Sequence, residues 1–141
     1  QYFSGDSVVE RSIIGEGTDI YGEVYNSVIG CGVTIGKGTV VRDSIIMNQT
    51  RIGDNCELNK AIIAENVEIG KNVKLGVGEE AENETAPHIY TQGIVTVGEK
   101  SVIPDGVSVG KNTVISGITK AADYENCYLA SGKTLIKEGE E

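Results

Sequence analysis

Tryptophan is absent from this chain, phenylalanine, histidine and methionine occur once each, and there are two prolines. A compact core ordinarily leans on large aromatic side chains. With one Phe and six Tyr available, this core has to be built from β-branched aliphatics, which suit a pleated surface. Basic residues are scarce too: 12 Lys and Arg stand against 21 Asp and Glu, a formal charge of −9. That balance argues against DNA or RNA as a partner, because phosphate binding needs clustered cations to displace counterions. No apolar run approaches the roughly 20 residues needed to cross a bilayer, so a soluble protein with no membrane partner is expected. Cys31, Cys56 and Cys127 are odd in number, widely spaced and lack a CxxC pair. They read as reduced thiols of a cytoplasmic protein. The 141 residues amount to one domain and begin without Met or a signal-peptide pattern, so a piece of a longer protein is as compatible with them as a complete chain.

What the sequence has in quantity is Ile, Val and 19 glycines, arranged in repeats. Ser12-Ile13-Ile14-Gly15, Ser27-Val28-Ile29-Gly30, Ser44-Ile45-Ile46-Met47 and Ala61-Ile62-Ile63-Ala64 align at spacings of 15, 17 and 17 residues. A second period of six runs inside them. Ile14, Ile20, Ile29, Ile35, Ile46, Ile52, Ile63, Ile69, Val97, Ile103 and Val109 each open a six-residue unit. Three positions later comes Gly or Asn in eight of the eleven: Gly17, Gly32, Gly38, Asn55, Asn66, Asn72, Gly106 and Asn112. These are the residue types that tolerate positive φ. The fifth position is small or β-branched: Thr18, Val24, Val33, Thr39, Thr50, Cys56, Val67, Val73, Ser101, Val107 and Thr113.

A chain that turns a corner every six residues, with one large and one small side chain pointing inward per side, closes a triangle after about 18. Val41, Leu58 and Leu75 supply the third side, and the five-residue step after Val41 and Leu58 accounts for the spacing of 17. The pattern predicts an all-β fold, a parallel β-helix with aliphatics stacked rung over rung. Residues 1–117 form the repeat domain, with a loop excursion at 76–93, and 118–141 form a C-terminal tail that caps the last coil. Within the tail, Ala121-Ala122-Asp123-Tyr124 reads as a helical turn, Tyr128-Leu129 and Thr134-Leu135-Ile136 as short strands, and the end as an acidic run. Ile89-Tyr90 is expected to pin the exit of the excursion to the prism wall.

Candidate chemistry is sparse. A lone histidine, His88, excludes the multi-histidine metal site of hexapeptide-repeat carbonic anhydrases. As a catalytic base against coenzyme A it is ill placed, in an acidic loop that repels the cofactor's phosphates; it reads as an ordinary loop residue. Glu79, Glu80, Glu82 and Glu84 are either a cation site or, the commoner case, a solvated face, and have no EF-hand spacing. Gly36-Lys37-Gly38 lacks the spacing and following helix of a phosphate loop. Arg42, Arg51, Lys71, Lys74, Lys100 and Lys111 are either plain surface charge or contributors to an anion site at a subunit or domain seam.

A more specific resemblance rests on Tyr21-Gly22-Glu23-Val24-Tyr25-Asn26-Ser27-Val28-Ile29-Gly30, Asp43-Ser44-Ile45-Ile46-Met47, Lys60-Ala61-Ile62-Ile63-Ala64-Glu65-Asn66, Gly93-Ile94-Val95-Thr96-Val97 and Val102-Ile103-Pro104-Asp105-Gly106. In this order, with the 76–93 interruption, residues 2–117 resemble the C-terminal domain of glucose-1-phosphate adenylyltransferases. Gln1-Tyr2 resembles the exit of that family's interdomain linker. The resemblance implies a left-handed β-helix. It also implies a separate N-terminal nucleotidyltransferase domain that uses ATP, magnesium and glucose 1-phosphate to make ADP-glucose and pyrophosphate in glycogen biosynthesis, and that holds the catalytic residues and the metal. This chain would then carry no catalytic residue, metal ligand or cofactor of its own. Its partners would be that catalytic domain, other subunits of a homo- or hetero-oligomer, a tetramer in the family, and a small anionic effector. Of the activator-binding lysines known in plant members, one falls at Glu65, a charge reversal, and another at Glu99 or Lys100. Lys100 is therefore the regulatory residue carried over. The resemblance covers catalytic subunits and a non-catalytic bacterial paralogue alike. Two other readings of the repeat are a stand-alone acyltransferase with trimeric active sites and the tail of another sugar-nucleotide pyrophosphorylase.

Overall fold

The structure is a computed structural model and describes residues 2–137. The linker-exit reading of Gln1 and the acidic run at 138–141 lie outside the described residues. Among the described residues, twenty strands of two to four residues and one 3-10 turn at Ala121–Asp123 make up the regular structure. Every strand pairing is parallel, and the strands form three sheets, the faces of a three-sided prism.

The first face stacks Tyr2–Phe3, Asp19–Ile20, Thr34–Ile35, Arg51–Ile52, Glu68–Ile69 and Val102–Ile103. The second runs from Val8–Glu10 through Glu23–Tyr25, Val40–Arg42, Glu57–Asn59, Lys74–Leu75 and Ser108–Val109 to Tyr128–Leu129. The third runs from Ile13–Ile14 through Val28–Ile29, Ile45–Ile46, Ala61–Ile63, Val95–Val97 and Thr113–Ser116 to Thr134–Ile136. Among the described residues no helix is long and apolar enough to cross a membrane.

The interior is the aliphatic column that the period of six predicts. Ile29, Ile46, Ile63, Val97 and Ile115 are in register down the third face and buried. All eleven small or β-branched fifth positions are buried as well. Their hydroxyls complete the corners: Thr39 donates to the Gly53 carbonyl at 2.6 Å and accepts from the Cys56 N–H at 3.0 Å. Thr50 does the same between Ala64 and Val67. Among the described residues every buried side-chain polar atom has a partner, which is what a dry interior demands.

The Gly and Asn positions turn the wall with positive φ, from 58° at Asn66 to 77° at Gly106. The five-residue step from the second face to the third is tighter, and it places Arg11, Asn26, Asp43 and Lys60 at φ 48° to 55°. A serine ladder supports that step. Ser27 N–H donates to Ser12 Oγ, Ser44 N–H to Ser27 Oγ and Ala61 N–H to Ser44 Oγ, at 3.0 to 3.1 Å. One inward assignment changes: Val24 is in register with Val9 and Val41 as a large inner residue of the second face. The step from Ile20 to Val24 is two residues shorter than that from Ile35 to Val41, and this shortening produces the first spacing of 15.

The ladder runs on past residue 117. Ile118 bridges Val102, Tyr128–Leu129 pairs with Ser108–Val109, and Thr134–Ile136 pairs with Val114–Ser116. The 76–93 excursion enters where the second face should turn into the third, and it folds back on the prism. Its anchor is Asn83, buried, whose Nδ2 donates to the Asn112 carbonyl and Thr134 Oγ1 and whose Oδ1 accepts from the Thr85 and Ala86 N–H groups. Ile89, expected to pin the exit, is 61% exposed. Polar staples hold this segment, because a loop that lies along strand ends has backbone groups to satisfy and little apolar surface to reach.

Candidate functional site

The corner between the third and first faces carries the regulatory candidate. Gly17, Gly32, Gln49, Asn66 and Lys100 stack there, each in left-handed backbone geometry. Each N–H bonds the carbonyl before the corner residue one rung away: Gly32 to Glu16, Gln49 to Cys31, Asn66 to Asn48 and Lys100 to Glu65, at 2.9 to 3.1 Å. Lys100 thus occupies, at φ 62°, a place where the repeat otherwise favours Gly or Asn. Holding a lysine there costs about 1–2 kcal/mol.

The same ladder brings Glu65 and Lys100, 35 residues apart in sequence, onto neighbouring rungs. Asn48 orients the Glu65 carboxylate, donating from Nδ2 to Oε2 at 3.2 Å while its own Oδ1 accepts from Cys31 N–H at 2.8 Å. Among the described residues the only ion pairs are Lys133 with Glu84 and Lys137 with Asp123, so the exposed Lys100 ammonium has no carboxylate in bonding range. The corner therefore offers one uncommitted cation next to a carboxylate held in place, a charge pattern able to receive one anionic group at Lys100 while repelling it at Glu65.

The other basic candidates are not brought together. Arg42 lies on the second face over the Tyr25 ring, 4.9 Å from its centroid, and Arg51 points out from the first face. Lys74 is on the second face two rungs from Arg42, and Lys71 sits at the corner between first and second faces. Lys111 does gain a cationic neighbour that is not among the candidates named from sequence, Lys60. The two line a depression of about 250 Å³ with Asp43, Asn59, Glu80 and Gly93. Only the coil register reveals this pairing, because 51 residues separate them.

Of the four carboxylates of the acidic loop, Glu80 and Glu84 help to hold the loop down, while Glu79 and Glu82 are exposed. Glu84 Oε2 accepts from Thr134 N–H at 2.9 Å and its Oε1 lies 3.6 Å from Lys133 Nζ, while Glu80 Oε2 accepts from Asn112 Nδ2 at 3.4 Å. His88 is exposed on this loop. Among the described residues no three His, Cys, Asp or Glu side chains are grouped to hold a metal ion. Burial pushes the Cys56 thiol above its ordinary pKa, and that thiol donates to the Gly70 carbonyl. It is a core group, whereas Cys31 and Cys127 are exposed.

Comparison with known proteins adds what the geometry lacks. Residues 4–97 match the family described as GlmU-like, C-terminal hexapeptide. The chain is similar to the glucose-1-phosphate adenylyltransferase of Lachnospira eligens, 60% identical over 99% of this chain and 33% of that protein. It is 44% identical to the enzyme of the same name from Acetivibrio thermocellus and 49% to that from Thermotoga neapolitana, again over 99% of this chain and 33% of each. It spans about a third of the length of these curated relatives, and the matched third is the C-terminal one. Among solved structures, the acetyltransferase domain of PglB from Neisseria gonorrhoeae covers 96% of this chain and 53% of its own at 19% identity and a TM-score of 0.38, too distant to weigh on function.

Proposed function

The chain belongs to the GlmU-like, C-terminal hexapeptide family, and from that premise we propose that it is the assembly and regulatory domain of a glucose-1-phosphate adenylyltransferase. The observation that carries this reading is the 60% identity across 99% of the chain with the C-terminal third of an enzyme of that name. The catalytic groups, ATP and magnesium then belong to the preceding two-thirds of the polypeptide, which makes ADP-glucose for glycogen synthesis in the cytoplasm. The prism contributes stiffness: a rod of stacked rungs, each fixed by its neighbours, presents docking faces and corners at constant spacing to a catalytic domain and to other subunits. An anionic effector bound at the Lys100 corner and at a neighbouring domain together would favour one domain arrangement over another, and so change activity at a distance.

The test is made on the full-length protein. ADP-glucose and pyrophosphate are expected from ATP and glucose 1-phosphate; turnover of a different nucleotide and sugar phosphate, or of none, overturns the reading. Lys100→Ala is expected to move the activation curve for sugar bisphosphates or phosphoglycerate to higher effector concentration with basal turnover unchanged. A superimposable curve removes Lys100 from the effector site.

A further inference from the structure

The corner between the second and third faces is left open where the 76–93 excursion returns to the wall. Gly93 is buried there at φ 81°, and its N–H donates to Asn112 Oδ1 at 2.7 Å. Without a side chain, this residue leaves a floor that three other side chains overhang. A methyl group placed on Gly93 would meet Lys111 Cδ at 3.7 Å, Lys60 Cδ at 3.8 Å and Glu80 Oε1 at 3.9 Å. Lys60 arrives from the preceding rung, Lys111 from the following one and Glu80 from the excursion. With Asp43 and Asn59 they enclose the depression of about 250 Å³.

Two cations and two anions thus rim one small hollow without neutralising each other. Among the described residues neither lysine has a carboxylate in ion-pair range. Lys60 Nζ donates to the Gln92 carbonyl at 3.3 Å, a long bond. Asp43 accepts from Asn26 Nδ2 through Oδ1, and Glu80 accepts from Asn112 Nδ2 through Oε2, so each carboxylate is steadied by one oxygen and keeps the other to offer. Lys60 also sits at φ 55°, a strained place for a lysine. A bare anion would be drawn by the lysines and repelled by the carboxylates, and a bare cation the reverse. A guest that carries both signs satisfies all four groups. The hollow holds on the order of eight water volumes, room for a small amino acid.

We propose that this depression binds a small zwitterion with an α-amino acid head group, its carboxylate between Lys60 and Lys111 and its ammonium on Glu80 and Asp43. Asn59 completes the cradle as a neutral donor and acceptor. Every group comes from this chain, so the site does not depend on what the rest of the polypeptide catalyses. The bound molecule links the excursion, through Glu80, to the wall at Lys60 and to the next coil at Lys111, and so holds the loop against the prism. Exposed ion pairs contribute little each, so the dissociation constant is expected to be roughly millimolar.

The experiment follows backbone hydrogen exchange of residues 76–93 in the full-length protein, with L-alanine as the probe. L-Lactate replaces the probe's ammonium by a hydroxyl, and isopropylamine replaces its carboxylate by a methyl. At about ten times its dissociation constant, alanine is expected to slow exchange in the loop about tenfold, the factor for an opening that empties the site. Lactate, isopropylamine and inorganic phosphate at the same concentration should leave the rate nearly unchanged. Lys60→Asn, which suits the left-handed corner, and Lys111→Gln are each expected to raise the constant for alanine about fivefold, the worth of one exposed ion pair. Lys37→Gln, on the corner between first and second faces, should leave it as it was. An absence of protection by alanine overturns the proposal, as does an unchanged constant in both the Lys60 and Lys111 variants. Protection by lactate or phosphate equal to that by alanine makes this a plain anion site, and equal protection by isopropylamine a plain cation site; either result also overturns it. None of these readouts uses turnover, so the outcome is independent of the adenylyltransferase reading.

Discussion

At the scale of single residues, backbone geometry separates what Lys100 costs from what it does. Glycine or asparagine occupies most left-handed corners, since both sit there with little strain. Lys100→Asn is expected to raise stability by about 1 kcal/mol, roughly 2–5 °C in the melting temperature, in a denaturation experiment on this chain. A stabilised variant with a weakened effector response would mark the lysine as kept for binding at the expense of stability. The cysteines divide by burial. Maleimide at neutral pH is expected to modify Cys31 and Cys127 in the folded chain and to reach Cys56 only on unfolding. The folded Cys56 pKa is raised, chiefly by desolvation. Its contribution to stability is therefore complete below the unfolded thiol value of roughly 8.5 and is lost as pH climbs through the higher folded value. Mass-detected labelling across that range checks both statements.

For the elements, neighbouring residues on one strand make the sharpest contrast. Ile46 is part of the interior column, while Ile45 beside it faces out. Ile46→Ala is expected to cost about 2–5 kcal/mol through lost burial and the cavity left behind. Ile45→Ala should change the stability of this chain by no more than about 0.5–1 kcal/mol, as expected of a half-exposed side chain. Urea titrations of the two variants decide it, and comparable losses would contradict the register that turns Ile46 inward. The alternation behind this contrast was legible in the sequence as the period of six, but only its inner member. The Ser-Ile-Ile repeat showed two aliphatics without saying which one faces in, because a one-residue shift of register exchanges the faces of a strand.

In the whole molecule, stability is close to a sum of rungs and of contacts between adjacent rungs. Damage should stay local. Asn83 ties the excursion to both Asn112 and Thr134. Asn83→Ala is expected to cost about 1–3 kcal/mol in the lower coils, through the partners it strands. Hydrogen exchange should quicken in Thr134–Ile136 and Thr113–Ser116 and stay unchanged in Val28–Ile29. Acceleration throughout the prism would show a fold more cooperative than a stack of rungs. The sequence marked 76–93 as an interruption and its carboxylates as candidates for solvent or a cation. It held no sign that Asn83 anchors the loop, since Asn112 and Thr134 lie 29 and 51 residues further on and meet Asn83 only after the coils are wound.

The sequence by itself determined the period, the inner column, the left-handed corners and the family resemblance, because each depends on residues within about one coil of one another. Tertiary structure decided which residues share a corner or a face: Glu65 over Lys100, Lys60 beside Lys111, and Asn83 between Asn112 and Thr134. The physical reason is the winding itself. Neighbours on adjacent rungs are 15 to 18 residues apart where the coils are regular, 20 in the last coil and 34 where the loop intervenes. A change of one or two residues in any step, such as the short one at Val24, resets every alignment above it.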